Sequence, residues 1–308
     1  MHPASLKKLS IDVVRFMFFA ACATHAGAAH AIELVDLEPS GPIARDIDEL
    51  FWTTVALMSL VLIPVFAMTF WFTWKFRASN AKAPYAPDWD RSTSLEWLVW
   101  LAPGLIITIL AGMTWIYSHR LSPYRPMEGT MPPLEIQVVA LDWKWLFIYP
   151  EQNVASVNEL YVPINRPLSF KITSATVMNS FFIPRLGGQI YAMAGMETEL
   201  HLIADQSGRY FGENTQFSGR GFPHQNFVAI ASSESDFNAW LARARESHQK
   251  LDQQAFDSLS QASVEHPITY YATVAPGLFQ HVIATFRTAQ NKEIPTFPHL
   301  GGAIPDAR

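Results

Sequence analysis

Two long runs without a charged residue dominate the first part of the chain: LFWTTVALMSLVLIPVFAMTFWFTW, residues 50–74, and WLVWLAPGLIITILAGMTWIYS, residues 97–118. A helix needs about 20 apolar residues to cross the hydrocarbon of a bilayer, and both runs suffice. Trp52, Trp71 and Trp74 mark the ends of the first, Trp97 and Trp115 those of the second, as expected of aromatic side chains at a lipid–water boundary. Pro64 and Pro103 would break soluble helices, whereas neighbouring helices in a membrane bundle satisfy the carbonyls that proline frees. The pattern predicts a two-helix transmembrane hairpin. Its direction follows from the basic residues. The connection 75–96 carries Lys75, Arg77, Lys82 and Arg91, while the segment 32–49 carries Arg45 alone among Glu33, Asp36, Glu38, Asp46, Asp48 and Glu49. Excess Lys and Arg marks the cytoplasmic side. The connection is therefore expected in the cytoplasm, with the N-terminal segment and everything after Ser118 outside, in the periplasm of a Gram-negative cell.

After a proline-rich linker, 119–131, the pattern shortens to runs of β-branched and aromatic residues: LEIQVVAL, WKWLFIYP, VNELYVP, LSFKITS, NSFFIP, TELHLIA, GRYF and NFVAIAS. Bounded by Gly, Pro and Asn, they predict an all-β sandwich or barrel over 132–232. From Ser233 the period becomes helical. SSESDFNAWLARARESH places Phe237, Trp240, Leu241 and Ala244 on one face, and Ser233 with Asp236 resembles a capping box. A second helix is predicted over GLFQHVIATF, with Leu278, Val282, Ile283 and Phe286 apolar. This helical region is expected to span 233–290, followed by a tail, 291–308.

At the N-terminus Lys7, Lys8 and Arg15 flank FMFFAACA, and small residues end in Ala29-His30-Ala31. Basic flank, short apolar run and A-x-A fit a secretory signal peptide over 1–31. FAAC opens a second route, a lipoprotein signal over 1–21 with lipidation at Cys22. Composition supports a membrane protein: 49% of residues are hydrophobic and 16% charged. The net charge of −5 gives no reason to expect a nucleic-acid partner.

Candidate chemistry is sparse. There is no phosphate-binding Gly-rich loop, no HExxH and no nucleophile elbow. Cys22 is the only cysteine, so every later position lacks a thiolate, the soft donor that copper electron-transfer sites require. The glycine-framed loop GENTQFSGRGFPHQ, 212–225, offers Glu213, His224 and neutral polar residues. His224 is read as an exposed loop histidine. Met178, Met193 and Met196 are read as filling a core or an interface. Glu96, in SLEWLVW at the cytoplasmic start of the second span, is the ionisable residue of most interest, because an acid at a membrane boundary is a functional hypothesis by default. Its plainer reading is a solvated charge favoured by the helix dipole.

The layout, together with the strings LDWKWLFIYPEQ, VMNSFFIPRLGGQIYAMAGM and GRYFGENTQFSGRGF, resembles subunit II of the haem-copper terminal oxidases. The likeness is greatest to the quinol-oxidising cytochrome o branch and covers roughly residues 34–290. The resemblance implies a cupredoxin-like sandwich and a non-catalytic subunit of a proton-translocating ubiquinol oxidase. The haems and copper would lie in subunit I, and the partners would be subunit I, the other small membrane subunits, the bilayer and, for the complex, ubiquinol. In the cytochrome c oxidases of this superfamily, a loop similar to C-S-E-I-C-G-x-x-H-x-x-M and one earlier histidine hold a binuclear copper. Carried onto this chain, the early histidine position is Asn179 and the cysteine positions are Asn214 and Ser218. The glutamate falls on Gln216, the loop histidine on Phe222 and the methionine on Gln225, so every ligand is replaced. Glu96 matches the subunit II glutamate at the mouth of a proton channel leading to the oxygen-reducing site. Trp143 and Trp145 match an aromatic stretch near the electron path. They are expected here to pack against the membrane face or subunit I, with Asp142 and Lys144 pairing with a partner. Two other readings stay open: a membrane-tethered cupredoxin-like binding or assembly module, and a cytochrome c oxidase subunit II that has lost its copper.

Overall fold

The computed structural model describes residues 38–84 and 90–293. The signal segment with Cys22, residues 85–89 of the connection and the tail from residue 294 lie outside the described residues. Two long helices come first, α1 (Pro42–Lys75) and α2 (Thr93–Arg120). Both outrun the uncharged segments. α1 starts at Pro42, whose missing N–H suits a first turn, so Arg45, Asp46, Asp48 and Glu49 form two helical turns ahead of the apolar run. Ala44 and Ile106 are the buried residues of these helices, and their apolar side chains otherwise point outward. Both helices are long and apolar enough to cross a membrane.

A sandwich follows. Its first ten strands are β1 (Leu134–Leu141), β2 (Lys144–Tyr149), β3 (Val154–Val157), β4 (Glu159–Pro163), β5 (Leu168–Ser174), β6 (Asn179–Phe181), β7 (Ile190–Ala192), β8 (Thr198–Leu202), β9 (Gly208–Glu213) and β10 (Asn226–Ser232). The C-terminal region adds α3 (Glu234–Arg245), β11 (Lys250–Leu251), α4 (Gln253–Leu259), β12 (Thr269–Tyr271), β13 (Thr273–Val274) and α5 (Leu278–Glu293). A six-stranded sheet, β12-β3-β2-β1-β5-β8, faces a three-stranded one, β4-β10-β9. β1 runs parallel to β5 and β4 to β10.

VNELYVP was expected as one strand, but the chain bends at Asn158, whose φ is 59°. β3 stays in the large sheet and β4 crosses to the small one. Asparagine tolerates this left-handed backbone better than most residues. Its side chain fixes the corner by accepting from Trp145 N–H at 2.9 Å and donating to the His266 carbonyl at 2.8 Å.

The large sheet is covered on both faces. Inward, Phe147, Phe170, Phe181 and Phe227 pack between the sheets, and Phe237 and Trp240 of α3 close one side. Outward, Val139, Leu146, Ile148 and Val157 lie beneath Phe256 of α4 and Phe279 and Val282 of α5. Double coverage explains why β2 is buried at every position and why its sequence shows no alternation. The C-terminal region is thus not purely helical. β12 extends the large sheet beside β3, β11 pairs with β13, and α5 continues past residue 290 to Glu293. Capping at Ser233 is present, its hydroxyl accepting from Asp236 N–H.

The first turns of α1 are tied to the sandwich. Arg45 pairs with Asp205, Ser40 N–H donates to the Arg185 carbonyl at 2.8 Å, and Asp205 N–H donates to the Ser40 carbonyl at 3.0 Å. Arg120, at the end of α2, pairs with Asp46 at 2.8 Å. A side chain at Gly41 would collide with the Ile203 carbonyl, which is why the helix can start so close to β8.

Candidate functional site

β9 and β10 are antiparallel neighbours, and the loop between them, 214–225, closes where Asn214 N–H donates to the Gln225 carbonyl at 3.1 Å. A short 3-10 turn, Phe222–His224, brings the chain back. Gly219 sits at φ 105°, open to glycine far more readily than to other residues.

Asn214 is the hub of this loop and only 4% exposed. Its Oδ1 accepts from Ser180 N–H at 2.8 Å and Gln216 N–H at 2.9 Å. Its Nδ2 donates to Asn179 Oδ1 at 2.9 Å and Gln225 Oε1 at 2.9 Å, with Ser218 Oγ at 3.2 Å. Ser218 donates to Gln225 Oε1 at 2.7 Å, and Gln225 Nε2 to the Leu141 carbonyl at 3.2 Å. Asn179 Nδ2 donates to the Val177 carbonyl at 2.8 Å and reaches Ser174 Oγ at 3.3 Å. Every amide in the cluster therefore donates and accepts, as buried polar groups must.

Four of the six positions singled out in the sequence, Asn179, Asn214, Ser218 and Gln225, meet in this cluster. Gln216 joins through its backbone N–H alone. Phe222 turns outward and packs its ring 5.7 Å from that of Phe217. Sequence reasoning missed Ser180, Thr215 and Gln189, whose side chains extend the network along the loop. Their pairing depends on β6 lying beside the loop, which no local pattern signals.

The cluster does not fit copper. A binuclear or blue-copper site needs thiolate and imidazole. Here the amide nitrogens are donors without a lone pair for a metal, and the amide oxygens already accept N–H or O–H groups. Among the described residues no three His, Cys, Asp or Glu side chains come together in a metal-holding group. His224 is half-exposed and pairs with Glu265 at 3.2 Å.

Two expectations about LDWKW, those for Trp145 and Lys144, are corrected. Trp145 is fully buried against Phe181 and Phe227, with ring centres 5.5 and 5.7 Å away, so it cannot meet a partner. Trp143 occupies the β1–β2 turn at φ 63° and lies over the loop, donating from Nε1 to the Ser218 carbonyl at 3.1 Å. Its ring fills the space a side chain at Gly221 would need. Lys144 is 1% exposed and its ammonium is engaged within the chain. It donates to the Gln261 carbonyl at 2.7 Å and Ser263 Oγ at 2.6 Å, and burial pushes its pKa down against the opposing pull of Asp142. It pegs the segment between α4 and β12 onto the large sheet. Of the methionines, Met178 and Met196 are exposed, which removes them from the core.

Glu96 lies elsewhere. It sits in the first turn of α2, about 36 Å along the helix axis from Arg120, and Arg91 Nε approaches its Oε1 to 3.3 Å, both side chains being exposed.

Residues 109–231 match the family described as cytochrome c oxidase subunit II, periplasmic domain, and residues 245–288 match the COX aromatic rich motif. The cytochrome bo(3) ubiquinol oxidase subunit 2 of Pseudomonas putida is 46% identical over 265 residues, covering 86% of this chain and 84% of that protein. The ubiquinol oxidase subunit 2 of Acetobacter aceti is 47% identical over 256 residues, covering 82% and 83%. The cytochrome bo(3) ubiquinol oxidase subunit 2 of Pseudomonas aeruginosa is 48% identical over 248 residues, covering 80% and 75%.

Proposed function

Because the chain belongs to the family of ubiquinol oxidase subunits 2, we propose that it is the second subunit of a respiratory quinol oxidase. The complex oxidises ubiquinol, reduces oxygen to water and conserves energy as a proton gradient. In this reading the chain holds no redox centre of its own. Haems, copper and the quinol site belong to subunit I, on which the hairpin and the cupredoxin-like head dock. The observation that carries the reading is the amide cluster. Asn179, Asn214, Ser218 and Gln225 occupy the positions at which cytochrome c oxidases hold copper and complete one another's hydrogen bonds instead. The named relatives lend no support to a free-standing assembly module.

The hairpin spans the bacterial inner membrane in this reading, with its Lys- and Arg-bearing connection in the cytoplasm and the head in the periplasm. Glu96 then stands at the cytoplasmic surface and delivers protons toward the oxygen-reducing site. Its placement in the first turn of a span, half-exposed and reached by one arginine, suits a group that must take protons from water. Purification of the complex in mild detergent tests the whole. The expected result is quinol-dependent oxygen uptake with haem present and with no copper bound by this chain. Glu96→Gln should slow turnover severalfold while the complex stays assembled. Stoichiometric copper in the head, or an unchanged rate in the assembled variant, would count against the respective part.

A further inference from the structure

Two cations at the far end of α1 have no ionic partner among the described residues. Lys75 Nζ lies 6.0 Å from the Trp71 ring and 5.6 Å from the Phe76 ring, and Arg77 Cζ lies 5.5 Å from the Trp74 ring. The two indoles neighbour each other at 6.2 Å. Cation–π attraction of this kind holds a charge against an aromatic face without neutralising it. Among the described residues no carboxylate comes within ion-pair distance of Lys75, Arg77 or Lys82. The hairpin's other end differs, since Arg45 and Arg120 are each matched by an aspartate.

The local backbone keeps these cations in place. Asn80 Nδ2 donates to the Lys75 carbonyl at 2.7 Å, which quenches part of the negative end of the helix dipole. Asn80 N–H donates to the Arg77 carbonyl at 2.9 Å, and Ala83 N–H to the Asn80 carbonyl at 3.2 Å. The chain therefore turns back beneath the helix end, where exposed Arg77 also donates from Nε to Ser79 Oγ at 3.0 Å. On the membrane side the exposed rings of Phe70, Phe72 and Trp74 offer apolar surface to an acyl chain.

We infer that Lys75 and Arg77, backed by Trp71 and Trp74, form a binding site for the phosphodiester headgroup of an acidic phospholipid. The inference rests on the proposed placement of the hairpin in the bilayer. Indoles at that depth lie at the headgroup level, and each cation near an anionic membrane surface strengthens binding. A single phosphate bridging the two cations replaces the missing carboxylates, while the acyl chains lie along α1.

The assembled complex, purified in mild detergent and washed with zwitterionic lipid, gives the test by mass-spectrometric counting of retained phospholipids. The parent should keep about one more acidic phospholipid per complex than the Lys75→Gln/Arg77→Gln variant. In nanodiscs of graded phosphatidylglycerol content, each substitution should lower acidic-lipid affinity about fivefold, and both together about 25-fold. Lys82→Gln removes a charge from the same connection without an aromatic backing and should cost less. Equal retention in parent and double variant overturns the inference. So does an equal loss from Lys82→Gln, which would mean diffuse attraction, or a carbodiimide cross-link from Lys75 to another subunit's carboxylate. Where the double variant fails to assemble, the same titration on the full chain alone decides the point. Release of the chain from membranes by alkaline carbonate would instead refute the bilayer placement, a separate failure.

Discussion

Asn214→Ala is the sharpest perturbation of the amide cluster. Truncation removes the acceptor of two backbone N–H groups and the donor to two amide oxygens. The losses are unequal. Gln216 is half-exposed and its N–H can turn to water, and Gln225 Oε1 keeps the Ser218 hydroxyl. Ser180 N–H and Asn179 Oδ1 belong to fully buried residues and are left unpaired, at about 1–3 kcal/mol each. A destabilisation of about 3–4 kcal/mol follows, falling to about 1.5 kcal/mol if water enters the cavity. For a domain of this size the melting temperature should drop by roughly 6–16 °C. The assay is unfolding of the full chain in detergent, followed by tryptophan fluorescence. Asn214→Asp is the informative companion. It keeps the acceptor for both N–H groups but aims a carboxylate at two amide oxygens, so it should be as damaging at neutral pH and milder in acid, where the carboxyl is protonated. A stability loss under about 0.5 kcal/mol for the alanine variant, or a pH-independent aspartate variant, would refute the claim that this network holds the loop.

Further outcomes are expected. Gly221→Ala must displace the Trp143 ring, costing about 1–3 kcal/mol as overpacking, and the freed indole should show red-shifted fluorescence. Asn158→Ala should cost about 2–4 kcal/mol from a buried Trp145 N–H left unpaired and an unfavourable φ. Asn158→Gly should recover about 1 kcal/mol of that in denaturant titrations, because it relieves only the backbone part. Tyr270, half-buried and hydrogen-bonded to Glu159 at 2.5 Å, has its pKa pushed up to about 12, first by its partial burial and then by that bond. The unfolded phenol ionises near 10 while the folded one keeps its proton, so this contribution is complete below pH 10 and lost as pH rises toward 12. Tyr270→Phe should flatten the decline in stability over that window.

The helices, the sandwich and the strands that bury one face in a regular rhythm were readable, β1, β5 and β10 among them. What escaped has identifiable causes. α1 reaches back to Pro42, and its proline signal was present, but a reading guided by apolar residues stops at the first charges. β11, β12 and β13 have two or three residues each, too few for any period, and exist because β3 and one another offer backbone partners. Sequence alone points Lys144 toward a partner because lysine is rarely buried; two oxygens from a segment more than a hundred residues later make the exception. Trp143 and Trp145 look alike in sequence, yet the turn at Asp142 and Trp143 sends one over a loop and the other into the core. The amide cluster could be inferred as a set of residues from the resemblance, but its closure needed the tertiary positions of Asn179 and Leu141.

A loop whose bend is fixed by asparagine, glutamine and serine is complete once its neighbouring strands are in place. In the proposed reading it awaits no delivered ion and, with no sulfhydryl after Cys22, has no disulfide to form or mispair. On that reading, maturation of the head would be uncoupled from the supply of trace elements.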